Sequence, residues 1–238
     1  MRRTVWLTMA VLGCAVLARA QGADREVVAT ISGPMIDGGI VSGLGWDGGA
    51  LIIQSASMDV RGALKPHYFT IAGPGMAVRS VAAPPPAMDR YWKMKAGRVS
   101  PTGLGRITTR SDTKLPMYGI GSLAQRMNDA QDMGGTVATH ELQLHGLVLH
   151  VRRSDVEPYD GEVWSWSPAA LNRIAYVDGK GDVWIAGADG RNAVRLLKGS
   201  FTLPAWSDDG RTLAVAERQD RGAKWEISVI HLADVHRR

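Results

Sequence analysis

The chain has 238 residues, 45% hydrophobic and 21% charged, with a formal net charge of +5, a balance that suits a globular domain and excludes a disordered one. Its one cysteine, Cys14, excludes a disulfide scaffold and a thiolate zinc site. No dense basic run precedes the terminal His236-Arg237-Arg238, so no nucleic-acid partner is expected.

The chain opens with Arg2 and Arg3, a short apolar run and Ala18-Arg19-Ala20. That order predicts a signal peptide over residues 1–20, cleaved after Ala20, and a periplasmic or secreted product. Val11-Leu12-Gly13-Cys14 also resembles a lipoprotein box. Cutting there leaves an unusually short signal and an apolar new terminus, which favours Ala20 over lipidation of Cys14. Without Arg2, Arg3 and Arg19 the 28 basic residues become 25 against 23 acids, so the exported chain carries about +2. No later apolar stretch reaches 18 residues, and no integral membrane span is predicted.

Residues 21–238 read as one domain built from a repeat. A β-prone segment, Val27 to Ser32, comes first and is expected to supply the outermost strand of the last repeat. Four frames follow, near residues 46, 99, 166 and 206. The first is "GWDGGALIIQSA", with Trp46. The second, "VSPTGLGRITT", lacks the Trp but keeps Ser100 and Pro101. The third begins at Trp166-Ser167 and continues "PAALNRIAYVDGKGDVWIAGADGRNAVRLL". The fourth, "AWSDDGRTLAVAE", carries Trp206, Ser207, Asp209 and Gly210. Each frame alternates short period-2 apolar runs with Asp-Gly or Gly-Gly turns, which predicts strands joined by hairpins. Repeats of about 40 residues made of four short strands are a propeller signature. A Trp before the turn can pack between neighbouring sheets.

These repeats resemble those of the TolB-like β-propellers, with the best match over residues 164 to 234. The resemblance implies an all-β fold: a small or partial propeller of about four to five four-stranded blades. It also implies a cell-envelope role. Where the family usually carries Asp-Gly after Trp-Ser-Pro, this chain has "AALN" after Trp166-Ser167-Pro168 and a shortened "DGG" after Trp46.

Between Ser100 and Trp166 the period is exceeded. Ser122 with Gln125 forms a capping box, Leu123, Met127 and Ala130 share a helical face, and Gly134-Gly135 end it, predicting an inserted helix near 122–133. "TVATHELQLHGLVLHVRR" then reads as a hairpin, or as strands of a repeat whose Trp signal is gone.

Candidate sites are sparse. "HELQLH" is one residue too long for the zinc-helix motif, and on a strand His140 and His145 face opposite ways. His140 and His150 would share a face on one strand only if Gly146 does not turn the chain. "GLGWDG" satisfies a dinucleotide fingerprint literally, but a strand follows it, so its glycines read as turn residues. Asp208-Asp209 and the Asp178 to Asp182 turn read as hairpin corners rather than calcium ligands. No catalytic residue, metal or cofactor is assigned. Trp92, with Tyr91 and Arg90 in the off-repeat "MDRYWKMK" after Pro84-Pro85-Pro86, is the leading binding candidate, and its cationic neighbours favour an acidic partner. His140 and His145 are further candidates.

The expected function is a binding scaffold for a protein or glycan of the cell envelope. The alternatives are a small hydrolase or lyase using His140, His145 or His150 in the channel, and an incomplete propeller that works only as a homo-oligomer.

Overall fold

A computed structural model describes residues 25–32, 40–58, 64–72, 77–114, 137–153, 160–219 and 224–232. The predicted signal peptide and the predicted helix near 122–133 lie outside the described residues. The fold is mostly β, with four antiparallel sheets whose strands mostly follow one another in sequence.

Sheet I comprises β2 (Ile40–Asp47), β3 (Ala50–Met58), β4 (Leu64–Ile71) and β5 (Arg79–Val81). Sheet II comprises β6 (Thr108–Lys114), β7 (Val137–Leu144) and β8 (Leu147–Arg153). Sheet III holds β9 (Trp164–Trp166), β10 (Arg173–Val177), β11 (Val183–Gly187) and β12 (Val194–Leu197). Sheet IV holds β13 (Phe201–Trp206), β14 (Thr212–Gln219) and β15 (Lys224–His231), with β1 (Arg25–Ile31) on its outer edge. Four sheets match the four frames, but sheet II has three strands rather than four among the described residues.

The pairing of β1 with β15 is the one expected of the N-terminal segment. Arg25 lies opposite Ile230 and Ile31 opposite Trp225, with a bulge between Val27 and Ala29. Arg25 reinforces it, bonding Ser228 Oγ at 3.0 Å and Glu217 at 2.9 Å. β1 thus covers the edge of β15, which would otherwise present unpaired backbone groups.

The repeat register is visible in the ladders. Trp46 faces Leu51, Trp166 faces Ile174 and Trp206 faces Leu213, so each Trp stands at or one residue before the end of the first strand of its hairpin, opposite an aliphatic residue. Two hairpins use two-residue turns in which both residues have positive φ. Gly48 (55°) and Gly49 (91°) join β2 to β3, and His145 (45°) and Gly146 (87°) join β7 to β8. Such turns match the right-handed strand twist, and glycine enters them without strain.

The core is shared between sheets. One buried cluster joins sheet I to sheet IV through Leu44, Leu51, Ile53 and Phe69 against Ala205, Ala214 and Ile227. A second joins sheet III to sheet IV through Ala175, Val183 and Ile185 against Trp206, Leu213 and Val215. A third joins sheet II to sheet III through Leu142, Leu144 and Leu149 against Trp164, Trp166 and Ile174. The sheets therefore pack in the succession I, IV, III, II. Each fully buried aliphatic or aromatic side chain contributes about 1.5–3 kcal/mol.

A short helix, α1 (Ala87–Tyr91), runs directly into a π-helical turn, Trp92–Ala96. The sequence pattern did not predict it. Pro86 stands at its N-cap with φ −56°, preorganised for a helix start, and Met88 N–H bonds Pro85 O at 2.9 Å. Met88, Tyr91 and Lys95 are buried at helical spacing. The helix packs on β2 and the π turn on β9.

Candidate functional site

The corners come first, because they position everything polar near the sheet junctions. Ser207 N–H donates to Thr212 O at 2.9 Å, and its Oγ accepts from Thr212 N–H at 3.0 Å. Ser167 forms the same two bonds with Arg173, and Ser100 with Gly105, each at 2.9 Å. One hydroxyl thus satisfies the amide that the turn leaves without a strand partner. In the Ser207 corner Asp209 Oδ1 also accepts from Ser207 Oγ at 2.6 Å and Arg211 N–H at 3.0 Å. The Ser207 hydroxyl first, and then the Arg211 amide, hold its carboxyl below the usual range. The Asp178 turn works alike: its Oδ1 accepts from the amides of Lys180 and Asp182.

Lys95 ties the π turn to this corner. Its side chain is buried, and Nζ donates to Trp206 O at 3.0 Å, Ser207 O at 2.8 Å and Asp208 Oδ1 at 2.9 Å. Three donors meet three acceptors, with the Tyr91 ring 5.2 Å from Nζ. Burial lowers the Lys95 pKa, and Asp208 opposes that shift. Burial pushes the Tyr91 hydroxyl up. A fully bonded, buried ammonium anchors; it does not present a nucleophile.

The aromatic residues follow the same logic. Trp164 and Trp166 both donate Nε1–H to Gly97 O, at 3.1 and 2.6 Å, and Trp46 donates to Ala205 O at 2.9 Å. Glycines let α1 and the π turn approach. A Cβ on Gly43 would stand 2.7 Å from Trp92 Cζ2, and one on Gly45 2.8 Å from Met88 Cε. The expectation that all glycines of "GLGWDG" serve a turn is therefore corrected: Gly43 and Gly45 lie inside β2 and make room, and only Gly48 belongs to the turn.

Between sheets I and IV lies a cleft of about 280 Å³, near the low end for small-ligand pockets, about 300–1,000 Å³. Its apolar wall is Val28, Trp46, Leu51, Ile71 and Val229. Its polar lining is Ser207, Asp208, Asp209, Thr212 and His231. The Ser207 corner thus forms one lip, and His231, 3.8 Å from Glu26, another part of the lining. The cleft has no local sequence signature, because its lining comes from both ends of the chain.

The residues singled out from sequence fall in two places. Tyr91 is buried, Trp92 is partly buried against the sheet I core, and Arg90 is exposed on the same helix. Trp92 stands edge-on to Tyr91 at 5.6 Å between ring centroids. His140 lies on β7 and bonds Ser111 Oγ through Nδ1 at 3.0 Å. His145 sits exposed at the hairpin tip with Nε2 3.1 Å from Leu104 O. Gly146 does turn the chain, and that turn brings His150 opposite Leu142, onto the face that also carries His140. The hairpin, not a continuous strand, thus makes the two histidines share a sheet face. Arg98 braces the same region, bonding Asp160 at 2.9 Å and Thr109 at 2.6 Å. Among the described residues no three His, Cys, Asp or Glu side chains gather as a metal site, and no helix is long and apolar enough to cross a membrane.

No protein-family model matches this sequence, and no curated protein matches it.

Proposed function

We propose that the chain is an exported, TolB-like β-propeller scaffold that binds a protein partner of the cell envelope in the cleft between sheets I and IV. The observation carrying this reading is the cleft itself: an apolar recess with a polar lip, held between two sheets that share one core. Rigid elements around a recess lose little freedom on binding. The propeller reading is supported by the four sheets, their I, IV, III, II packing and the β1–β15 pairing, and the cell-envelope location by the N-terminal residues.

The test is site-specific photo-crosslinking in the cell envelope. A photo-reactive residue at Thr212, on the lip, is expected to yield one discrete adduct with a protein, and one at exposed Val194 on β12 none. No adduct at 212, equal adducts at both, or a glycan adduct counts against a protein partner here.

A second reading, a small hydrolase, draws on the Ser111–His140 hydrogen bond and on His140 Nε2, which is buried with no hydrogen-bond partner among the described residues. Labelling by a fluorophosphonate probe, lost in Ser111→Ala, is its expected mark. Equal labelling of both chains, or none, removes it.

A further inference from the structure

We infer that the cleft between sheets I and IV is an arginine-reading site, its occupant the guanidinium side chain of an extended segment of a partner protein. The inference rests on the scaffold reading above and goes further by naming the side chain that is read.

The cavity defines the site, and its lining selects the ligand. Asp208 and Asp209 each use Oδ1 for internal bonds, to Lys95 Nζ and to Ser207 Oγ with Arg211 N–H respectively. Neither Oδ2 accepts a hydrogen bond from another of the described residues. Asp209 is held ionised by the bonds that depress its pKa. Lys95 from the buried side and exposed Arg211 beside Asp209 offset the two charges, so the unused oxygens rather than a net charge make the recognition. Two acceptors on neighbouring residues suit a planar fork of N–H donors better than one compact ammonium.

The apolar lining points the same way. Trp46 lines the cavity with its indole N–H already committed to Ala205 O, so what it offers a ligand is aromatic carbon surface. Guanidinium is weakly hydrated and stacks on aromatic faces, while its three-carbon stem suits Val28 and Leu51. A neutral donor such as a ureido group could still bond the carboxylate oxygens, but without the charge assistance that a guanidinium brings.

The test is isothermal titration of the full chain with the peptide acetyl-Gly-Gly-Arg-Gly-Gly-amide and with counterparts carrying lysine or citrulline. The arginine peptide is expected to bind on the order of 10-fold more tightly than the citrulline peptide, the loss typical of removing a charge-assisted pair. Asp208→Asn and Asp209→Asn keep an Oδ1 acceptor and remove the charge; each is expected to bring the arginine peptide down towards the citrulline one. Val28→Trp, which fills the recess, is expected to abolish binding, and Thr212→Arg to block it should Val28→Trp fail to fold. Equal binding of arginine and citrulline peptides, binding insensitive to both Asn variants, or no binding overturns the inference. A crosslink from residue 212 without arginine selectivity leaves the scaffold standing and removes only this inference. Arginine binding without a crosslink does the reverse.

Discussion

Replacing Lys95 by Met tests whether the buried ammonium holds α1 and the π turn against sheet IV. Met keeps an unbranched side chain one atom shorter and removes all three donors. Two main-chain carbonyls, Trp206 O and Ser207 O, each lose a bond from a charged group, worth about 1.5–3 kcal/mol apiece. Asp208 is 59% exposed and resolvates, so its lost ion pair adds less than about 1 kcal/mol. Removing the ammonium also removes its desolvation penalty, which offsets a few kcal/mol. The net destabilisation is about 2 kcal/mol, a fall in Tm of about 4–8 °C for a domain of this size. Urea and thermal melts of the two chains at neutral pH measure it. An unchanged or higher Tm for Lys95→Met would show that burying the charge costs more than its three bonds return. The pH dependence gives an independent check. Burial holds the folded pKa below the ordinary 10.5, so between the two values the unfolded chain binds more protons than the folded one. The stability of the native chain relative to Lys95→Met therefore rises with pH across that interval and is level below it. A difference that shrinks towards pH 10.5 contradicts this sign.

Two other perturbations probe the frame. Deleting residues 21–33 removes β1 and exposes the β15 edge along with the partners of Arg25; cooperative thermal unfolding should be lost, and a melting curve like that of the intact chain would show that β1 is dispensable. Gly43→Ala sets a Cβ against the rigid Trp92 ring, whereas Gly45→Ala mainly meets the flexible end of Met88. The first should cost about 1–3 kcal/mol and the second less, and the reverse order in chemical denaturation would overturn the packing account.

The parts of the fold legible in sequence are those whose physics is local. A Trp, a Ser and a glycine turn followed by alternating apolar residues can be matched across frames, and Ser100, Ser167 and Ser207 make the same pair of bonds. The alternating apolar residues of "TVATHELQLHGLVLHVRR" likewise read as a hairpin, which β7 and β8 form. Helix α1 with its π turn was hidden because the continuous helical pattern of Met88 and Tyr91 runs on to a lysine, Lys95, at a core position. Nothing near Lys95 in sequence reveals that its acceptors lie more than 100 residues away. The pairing of His140 and His150 on one face needed the hairpin register, not the spacing. The cleft was least legible, since Val28, Trp46 and His231 meet only after the chain's two ends have been brought together.

The corner at Ser207 carries one acid more than its geometry requires. The Ser100 and Ser167 corners close with the same two serine bonds, although Pro101-Thr102 and Pro168-Ala169 follow those serines. Asp209 has a local task, accepting from Ser207 and Arg211. Among the described residues the Asp208 side chain bonds Lys95 and no group within the turn. A residue needed only for the turn would behave as Asp209 does, whereas one retained for the cleft should be separable from stability. Asp208→Asn keeps an oxygen for Lys95 to bond and leaves every corner bond in place, so it should cost less than about 1 kcal/mol at so exposed a position. The same change should weaken the arginine peptide on the order of 10-fold. A variant that melts several degrees lower and binds the peptide unchanged would make Asp208 a structural anchor for Lys95 and nothing more.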